Sequence, residues 1–415
     1  MKIVCDFHIH SKYSRATSKE TDLEHLASSA KIKGIDVLGT GDFSHPEWFR
    51  PLKEKLEPDQ EGLFKLKKGD KGIRFILTNE ISCIYSKAGK VRKIHVLIFA
   101  PSFEAAEKIN FQLGLKGNLK SDGRPILGLD AKELAKIVLD ASQDCMVVPA
   151  HAWTPWFGIF GSKSGFDSME ECFEEYSKHI YAIETGLSSD PSMNWRLKKL
   201  DNISLISNSD AHSPGKIGRE ANVFDTDVSY PAICRAIKKK NPENFLYTIE
   251  FYPQEGKYHY DGHRNCGVSL SPSESRKSNN ICPVCGKPLT VGVLSRVEQL
   301  ADRPEGFRPE NAVPFKSLIP LEEVIAEAMG KASLTKTGAR EYDKLTSKFG
   351  SCFNILLDVP RKDLESETLP EIAEAVIRVR EGKVSIEPGY DGLYGKIKIF
   401  PQQKKKLGSN QKRLF

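Results

Sequence analysis

The sequence of 415 residues lacks any uninterrupted apolar run near the roughly 18 residues that a membrane-spanning helix needs. It begins directly on a strand-like pattern, so we expect no signal or transit peptide ahead of it. It also lacks a strong charge imbalance, because 61 Lys and Arg against 55 Asp and Glu give a net charge of +6. That charge permits nucleic-acid binding without predicting it. We expect a cytoplasmic protein of two or three domains that does not bind membranes.

The cysteines do not show the paired spacing of a disulfide framework. There are nine, an odd number. Five of them stand singly in apolar surroundings, and we interpret these as buried thiols: Cys5, Cys83, Cys145, Cys172 and Cys234. Such usage is typical of a reducing compartment.

Residues 1–240 contain seven short apolar runs, several of them separated by amphipathic helical patterns such as Leu23–Ile32 and Leu129–Ala141. The runs are 3–9, 35–39, 73–78, 94–100, 145–149, 180–183 and 203–207. Strands that alternate with helices predict a parallel sheet or barrel, in which chemistry gathers at the carboxyl ends of the strands. The link from Glu80 to His95 is short and resembles a hairpin instead of a helical crossover.

Polar side chains of metal-ligand type follow most of these runs. His8 and His10 are two residues apart on a predicted strand, so their imidazoles point the same way. The candidate ligands are His8, His10, Asp42, His45, Glu80, His95, His151, Asp210 and His212. Of these, His95 alone lies near the start of its run. Nine such groups are enough for two or three divalent ions if Glu80 bridges, and the set includes six of the ten histidines.

A second metal pattern lies further along the chain. His263 and Cys266 are followed after fifteen residues by Cys282-Pro-Val-Cys285-Gly, which has the Cys-x2-Cys spacing of a zinc knuckle. The pattern predicts one structural zinc held by His263, Cys266, Cys282 and Cys285, with His259 as an alternative to His263.

The composition shifts near residue 246, and we predict three domains. These are a metal-dependent barrel at 1–245, a zinc-binding domain at 246–300 and an α+β domain with a basic tail at 301–415. The third is predicted to contain helices at Leu321–Met329 and Leu369–Glu381 and a strand at Phe353–Leu357. Its last twenty residues hold seven Lys or Arg and no acid.

The ligand set resembles that of the PHP (polymerase and histidinol phosphatase) family. The shared motifs are His8-x-His10, Gly41-Asp42 with His45, then Glu80, His95, His151 and Asp210-x-His212. The resemblance implies an α/β fold with a distorted (β/α)7 barrel and a two- or three-metal site that hydrolyses phosphoesters. It implies one ion on His8, His10, Glu80 and Asp210, a second on Glu80, His95 and His151, and a third helped by His45 and His212.

Two departures from the family pattern concern the third ion. Family members often carry His or Asp shortly after the His-x-His, where this chain has Arg15 and Ala16. The usual Thr-Asp-His is replaced by Thr40-Gly41-Asp42-Phe43-Ser44-His45.

Further motifs resemble the endonuclease Q family along nearly the whole chain. They are the segment Gly41–Trp48, the cysteine knuckle and the Gly-rich segment Gly389–Gly395. The resemblance implies a barrel joined to a zinc-binding domain and a C-terminal domain. It also implies a DNA repair endonuclease that nicks on the 5′ side of hypoxanthine, uracil, xanthine and abasic sites.

The chemistry of the residues agrees with that expectation. Closely spaced Zn, Mn or Mg ions lower the pKa of a bound water and neutralise phosphodiester charge. We assign direct catalytic roles to Asp210 and His212, and to Arg219 as a phosphate clamp. A surface salt bridge is an equal interpretation of Arg219.

Other features favour damaged DNA as the partner. Residues 53–93 hold eleven Lys or Arg against six acids. Trp153, Trp156 and Phe157 follow His151 and could stack on a base, or simply pack over the barrel mouth. Gln411–Phe415 resembles the start of a sliding-clamp-binding peptide. The alternative at that end is a basic tail that only contacts DNA.

Two alternatives concern the function of the whole chain. It could be a PHP phosphatase acting on a small phosphate ester, or a non-catalytic DNA-repair scaffold. The sequence does not predict the oligomeric state.

Overall fold

The computed structural model describes residues 1–69 and 72–400. Its strands in chain order are β1 (Lys2–Asp6), β2 (Val37–Gly39), β3 (Leu56–Pro58), β4 (Phe64–Leu66), β5 (Arg74–Lys87), β6 (Lys90–Ala100), β7 (Ile126–Leu127), β8 (Met146–Pro149), β9 (Ala182–Glu184), β10 (Ser204–Ile206), β11 (Ala221–Asp225), β12 (Phe245–Glu250), β13 (Asp261–His263), β14 (Val268–Leu270), β15 (Phe315–Ser317), β16 (Ser385–Glu387) and β17 (Lys396–Lys398).

The α-helices are α1 (Leu23–Lys33), α2 (Pro46–Lys55), α3 (Phe103–Gly114), α4 (Ala131–Ala141), α5 (Met169–Phe173), α6 (Pro191–Asn194), α7 (Tyr230–Lys239), α8 (Pro272–Lys277), α9 (Val293–Leu300), α10 (Leu321–Ala328), α11 (Lys336–Phe349), α12 (Cys352–Leu357), α13 (Arg361–Glu367) and α14 (Pro370–Arg380). Short 3-10 helices lie at Glu174–His179, Lys198–Leu200, Pro214–Lys216, Pro253–Glu255 and Arg264–Cys266. None of the helices within these described ranges is long and apolar enough to cross a membrane.

All seven strands predicted for the first 240 residues are present, as β1, β2, β5, β6, β8, β9 and β10. One buried cluster takes side chains from every one of them: Ile3, Cys5, Val37, Ile76, Leu97, Phe99, Met146, Val148, Ala182 and Ile206. Burial of about 25 cal/mol per Å² of apolar area makes such a shared cluster a main stabilising feature. The seven strands therefore enclose one core.

The strand ladders do not close into a barrel within the described residues. A continuous path runs β15-β12-β11-β1-β2-β5-β4-β3, with β6 joining β5 to β8, while β9 and β10 form a separate parallel pair. Backbone hydrogen bonds beyond the strand ends span the two gaps. The Ala152 N–H donates to the Glu184 carbonyl at 2.9 Å, and the His10 N–H donates to the Ala211 carbonyl at 2.9 Å.

Strand β6 runs antiparallel to both β5 and β8. It follows β5 through the tight hairpin that the short Glu80–His95 link predicted. Because its direction is reversed, His95, midway along β6, lies beside the carboxyl end of β8. His95 pairs with Ser82 in this ladder and so reaches the same edge as the other candidate ligands.

The first strand is shorter than its alternating pattern indicated. The pattern predicted residues 3–9, but β1 ends at Asp6 and Ile9 makes only an isolated bridge to Ala211. His8 and His10 thus lie on the segment that leaves the sheet. Their rings still meet edge-on, with centroids 5.3 Å apart.

The main sheet continues past the predicted first domain. Strand β12 pairs with β11, and β15 pairs with β12, so residues 245–250 and 315–317 lengthen the same sheet. Between them lies a small unit built on the β13–β14 hairpin, α8 and α9. The division into domains at 245 and 300 stays a prediction, and the sheet itself crosses both positions.

The C-terminal region is mainly helical, with α10 to α14 and the small β16–β17 hairpin. The predicted helices at 321–329 and 369–381 are confirmed as α10 and α14. The predicted strand at Phe353–Leu357 is wrong, because this segment lies in helix α12. The Ser351 side chain caps that helix by accepting from the Asn354 N–H. A short apolar run fits a strand or a buried helix equally well, and here the preceding cap decides.

Candidate active site

Four of the predicted ligands converge just beyond the ends of β1 and β10 and beside the middle of β5. The ligand atoms of His8, His10, Glu80 and Asp210 all lie within 4.8 Å of one another. His10 Nε2 is 3.0 Å from Asp210 Oδ1 and 3.2 Å from Glu80 Oε2. His8 Nε2 is 3.4 Å from the same Glu80 oxygen. Two imidazoles and two carboxylates are a donor set suited to zinc, manganese or iron.

The hydrogen bonding of these atoms tests whether a metal ion fits. His8 Nε2, His10 Nε2 and Asp210 Oδ1 are buried and have no hydrogen-bond partner among the described residues. Buried polar atoms without partners are rare and costly. An ion held by these three atoms and Glu80 would satisfy all of them, so the residues fit a divalent cation.

A second group shares Glu80. His95 Nδ1 is 2.7 Å and His151 Nε2 is 3.1 Å from Glu80 Oε1. The two imidazole nitrogens are 3.1 Å apart. Since Oε1 faces this group and Oε2 faces the first, Glu80 is placed to bridge two ions. Burial lowers the pKa of His95 to about 4, which keeps its imidazole neutral and able to bind a metal.

The outer nitrogens of the first two histidines are held by carboxylates. His8 Nδ1 lies 3.0 Å from both oxygens of Glu184. His10 Nδ1 lies 3.0 Å from Asp42 Oδ1. These contacts fix which nitrogen of each ring faces the cluster and make it more basic. Burial alone would lower the pKa of His8, but Glu184, Glu80 and Asp210 outweigh it and hold that pKa well above its ordinary value.

Asp42, His45 and His212 do not form a third group of ligands within the described residues. Asp42 serves His10 and also accepts from the N–H and hydroxyl of Ser11. His45 stacks on Tyr13 at 4.6 Å. The His212 ring is 4.6 Å from that of His10, and its Nδ1 is 2.9 Å from the Asp210 carbonyl. A third ion therefore stays a prediction without an assembled ligand set.

Three residues of the site have left-handed backbone. The φ angles are +50° at Asp42, +30° at His151 and +46° at Asp210. Such angles are uncommon for residues with a side chain, and they collect at functional sites because the surrounding structure enforces them. Each follows a strand, so the turn directs the side chain inward instead of letting it continue along the strand.

Arg219, predicted to hold a phosphate oxygen, lies beside the cluster without reaching a ligand. Its Nη2 donates to the Ser209 carbonyl at 3.0 Å, and its Nε is buried without a hydrogen-bond partner among the described residues. The same contacts do not fit a surface salt bridge. The role of Arg219 in phosphate binding stays a prediction.

The three aromatics after His151 have different environments. Trp153 is fully buried, and its Nε1–H donates to Asn194 Oδ1 at 2.7 Å. Phe157 packs against His95 with ring centroids 4.3 Å apart. Trp156 is 42% exposed and meets Tyr258 edge-on. Trp153 is therefore a core residue, whereas Phe157 lies against a candidate ligand and Trp156 is exposed beside Tyr258.

The basic stretch at 53–93 is partly neutralised by acidic partners. Lys65 and Arg74 both pair with Asp59 at 2.8 Å. Lys55 pairs with Glu24 at 2.7 Å. The surplus of Lys and Arg in this stretch is thus a weaker indication of a DNA-binding surface than the sequence suggested.

The zinc-knuckle residues also meet. The ligand atoms of His263, Cys266, Cys282 and Cys285 lie within 4.8 Å of one another. His259 lies elsewhere, buried and stacked on Tyr260. The geometry thus brings His263 and not His259 to the cysteines. Three thiols and one imidazole fit a tetrahedral structural zinc.

Known domain families and proteins are similar to parts or nearly all of this chain. A domain family described as PHP-associated matches residues 195–242, and one described as the MJ0043 C-terminal domain matches residues 320–383. The uncharacterized protein YqxK of Bacillus subtilis is 30% identical over 417 residues, which cover 96% of this chain and 99% of YqxK. The uncharacterized protein MJ0043 of Methanocaldococcus jannaschii is 34% identical over 265 residues, which cover 61% of this chain. The matched part spans only 32% of MJ0043.

Solved structures decide the family. The crystal structure of the lesion-specific endonuclease PfuEndoQ from Pyrococcus furiosus is similar with a TM-score of 0.85 and 32% identity, covering 96% of this chain and 95% of that one. The chain belongs to the endonuclease Q family. A structure of endonuclease Q with a 27-mer duplex that carries an abasic lesion at the active site is similar with a TM-score of 0.84 and 32% identity, covering 97% of each chain.

Sequence reasoning left two residues of this endonuclease Q site unassigned. Glu184 was noted as the end of a predicted strand, and that position was the available signal for it. Arg124 gave no signal, because it lies in a loop. Its Nη1 donates to Glu80 Oε2 at 3.0 Å, which places a guanidinium on the shared carboxylate.

Proposed function

We propose that this chain is a metal-dependent DNA repair endonuclease that nicks the phosphodiester on the 5′ side of deaminated bases and abasic sites. The observation that carries the proposal is the pair of ligand groups that share Glu80, in a chain similar over nearly its full length to a lesion-specific endonuclease. The similarity extends to a complex of endonuclease Q with duplex DNA that has an abasic lesion at the active site. Hydrolysis forms a bond from a water oxygen to phosphorus and breaks one ester P–O bond.

The residues proposed to hold the ions are His8, His10, Glu80 and Asp210 for one, and Glu80, His95 and His151 for the other. Ions bound there would lower the pKa of a water molecule and offset the charge of the phosphodiester. Burial and the Glu80 carboxylate would raise the pKa of Asp210, but His8 and His10 outweigh them and hold that pKa below its ordinary value, so Asp210 stays ionised. We propose that His212, beside Asp210 at the open side of the cluster, moves protons at the reacting phosphate.

The lesion specificity is the finer part of the proposal. A nucleotide inside a duplex must leave the stack before its base can be recognised, and this costs least where pairing is already weak. Phe157 supplies a flat apolar surface against His95, and Trp156, the residue before it, supplies an exposed one. These surfaces support the stacking of an unpaired nucleotide beside the metal centre.

Three further assignments belong to this proposal. We propose that the seven strands around the shared core form a distorted (β/α)7 barrel, with a zinc-binding unit near 246–300 and a C-terminal unit after it. We propose one structural zinc at the His263–Cys285 cluster. The clamp-binding peptide predicted at Gln411–Phe415 lies outside the described residues and stays a prediction.

The test is cleavage of labelled duplexes that carry one deoxyinosine, one deoxyuridine or one abasic site, beside an undamaged duplex, with and without added divalent metal. We expect a metal-dependent nick immediately 5′ to the lesion. His8→Ala and Asp210→Ala should each abolish it, while the surface variant His179→Ala keeps it.

Two results would contradict the proposal in different ways. Release of phosphate from small esters without any DNA nick would favour a phosphatase. Binding of the damaged duplex without hydrolysis would favour a scaffold.

A further inference from the structure

The shared carboxylate of the site carries a partner that no ligand pattern predicted. Arg124 Nη1 is 3.0 Å from Glu80 Oε2, the oxygen that also faces His8 and His10. Within the described residues, this is the one ion pair that joins a carboxylate of the site to a Lys or Arg side chain. The other ion pairs of Glu80, Asp210, Glu184 and Asp42 are with histidines. A fixed positive charge therefore lies at the centre of the candidate active site.

The loop that carries Arg124 is docked firmly into the site. At Gly123 an added Cβ would lie 2.2 Å from Asp42 Oδ2 and 2.3 Å from Ser14 Oγ, so the backbone approaches closer than any residue with a side chain could. The Gly123 N–H donates to the Tyr13 carbonyl at 3.0 Å. Such contact leaves the position little freedom.

The residues after Arg124 are anchored as well. The Ser82 N–H donates to the Pro125 carbonyl at 3.1 Å, and β7 then pairs with β5. The Arg124 N–H itself donates to Asp122 Oδ1 at 3.1 Å. The backbone that carries Arg124 is thus held on both sides by hydrogen bonds, which limits where its guanidinium can lie, as preorganised electrostatic stabilisation requires.

The guanidinium has donors to spare. It contacts Glu80 through one nitrogen, its side chain is 24% exposed, and none of its atoms is a buried donor without a partner. A guanidinium carries five N–H donors in a planar fork that matches phosphate oxygens. Its remaining donors are therefore available to a phosphodiester bound beside Glu80.

We propose that Arg124 binds a non-bridging oxygen of the scissile phosphodiester, while Glu80 orients its fork. Arg124 is then a phosphate clamp at the shared carboxylate, and the separate role predicted for Arg219 stays a prediction. This inference rests on the proposed function and adds a catalytic residue to it.

The experiment compares the wild-type chain with Arg124→Ala and Arg124→Lys on lesion duplexes, using Arg15→Ala as the matched control. Arg15 pairs with Asp122 on the same loop, but its side chain is 77% exposed and it makes no contact with Glu80 that the structure records. Arg124→Ala should lower kcat/KM about 10²-fold, the usual effect of losing one such donor. Arg124→Lys should recover part of it, and Arg15→Ala should stay within about threefold.

Sulfur substitution separates phosphate contact from a structural effect. Duplexes with a single Rp or Sp phosphorothioate at the scissile bond replace one non-bridging oxygen at a time. In the wild type, the isomer whose sulfur faces Arg124 should be cleaved more slowly than the all-oxygen duplex. In Arg124→Ala this slowing should be smaller, while the effect of the other isomer should be the same as in the wild type. Equal slowing in both proteins for both isomers would overturn the proposal. So would a loss of metal per chain in Arg124→Ala, measured by elemental analysis.

Binding of inorganic phosphate distinguishes this inference from the proposed function. If the wild type cleaves no DNA, the function fails, but calorimetric titration of the metal-loaded chain with phosphate still tests Arg124. We expect binding by the wild type and Arg15→Ala, and at least tenfold weaker binding by Arg124→Ala. Equal phosphate affinity in all three proteins, or none in the wild type, would overturn the assignment.

Discussion

At the scale of single residues, the site depends on which atom of each side chain points inward. Glu80 presents one oxygen to each ligand group, and His8 and His10 present Nε2 because Glu184 and Asp42 engage Nδ1. Carboxylates of this kind fix the ring orientation and raise ligand basicity. The outer carboxylates should therefore matter almost as much as the ligands themselves.

Replacing Glu184 by Gln tests this dependence. Gln keeps the size of the side chain but loses the charge that holds His8, so we expect metal affinity to fall about 10- to 100-fold. Competition with a chelating dye, followed over metal concentration, measures the change.

Glu220→Gln is the matched control, because Glu220 is also fully buried while its carboxylate accepts from the Phe251 N–H instead of a ligand histidine. It should keep wild-type metal affinity. Equal affinity in the Glu184→Gln variant would show that His8 needs no outer partner.

At the scale of elements, the zinc segment is too small to be stable by packing alone. Its own buried cluster consists of Val268, Cys282 and Leu289. Units with so little core need a metal or disulfides. The α9 helix joins this unit to the segment that follows His151, because Arg296 donates to the carbonyls of Phe160 at 3.0 Å and Phe166 at 3.1 Å.

Cys282→Ser should remove one zinc per chain and loosen the segment between β13 and α9. We expect elemental analysis to show the loss and limited proteolysis to cut within 261–290, while the seven-strand core stays intact. Cys145→Ser, at a buried cysteine outside the cluster, should keep the zinc. A Cys282→Ser protein with the full zinc content would refute the structural site.

At the scale of the whole molecule, the sheet from β3 to β15 encloses carboxyl groups that water does not reach. Glu250 is fully buried and accepts hydrogen bonds from the hydroxyls of Thr248 and Thr185. Burial raises the pKa of Glu250 to about 8, so the folded chain holds a proton there that the unfolded chain releases near its ordinary value of 4.5.

This difference makes stability fall as pH rises between about 5 and 8. In that window the folded state binds one more proton than the unfolded state, so the free energy of unfolding decreases by at most about 1.4 kcal/mol per pH unit. Glu250→Gln removes the titrating group and should flatten this decline, as measured by urea unfolding at pH 5.5 and 8.0.

Glu47→Gln, at a half-exposed glutamate on α2, is the control and should keep the wild-type slope. An equally steep decline in Glu250→Gln would show that another group sets the pH dependence.

The sequence alone predicted the seven strands and the zinc cluster, because local patterns indicate both: apolar runs for the strands and Cys-x2-Cys spacing for the cluster. The candidate ligands were found at the ends of these runs, but their division into two groups was implied by the resemblance to the PHP family. Local patterns also explain the error at Phe353–Leu357. Its four apolar residues and Asn354 fit a short strand as well as a buried helix, and the helix is selected by the cap at Ser351 and by burial of its side chains.

Only the tertiary structure decided which groups support the ligands. Glu184 lies 176 residues from His8 along the chain, and Arg124 lies 44 residues from Glu80, so no spacing connects them. The reversal of β6 placed His95 at the correct edge, and ion pairs with distant acids neutralised part of the basic stretch. Side-chain types and periods are properties of the chain, whereas hydrogen-bond partners across a sheet exist only after folding brings them within 3 Å or so.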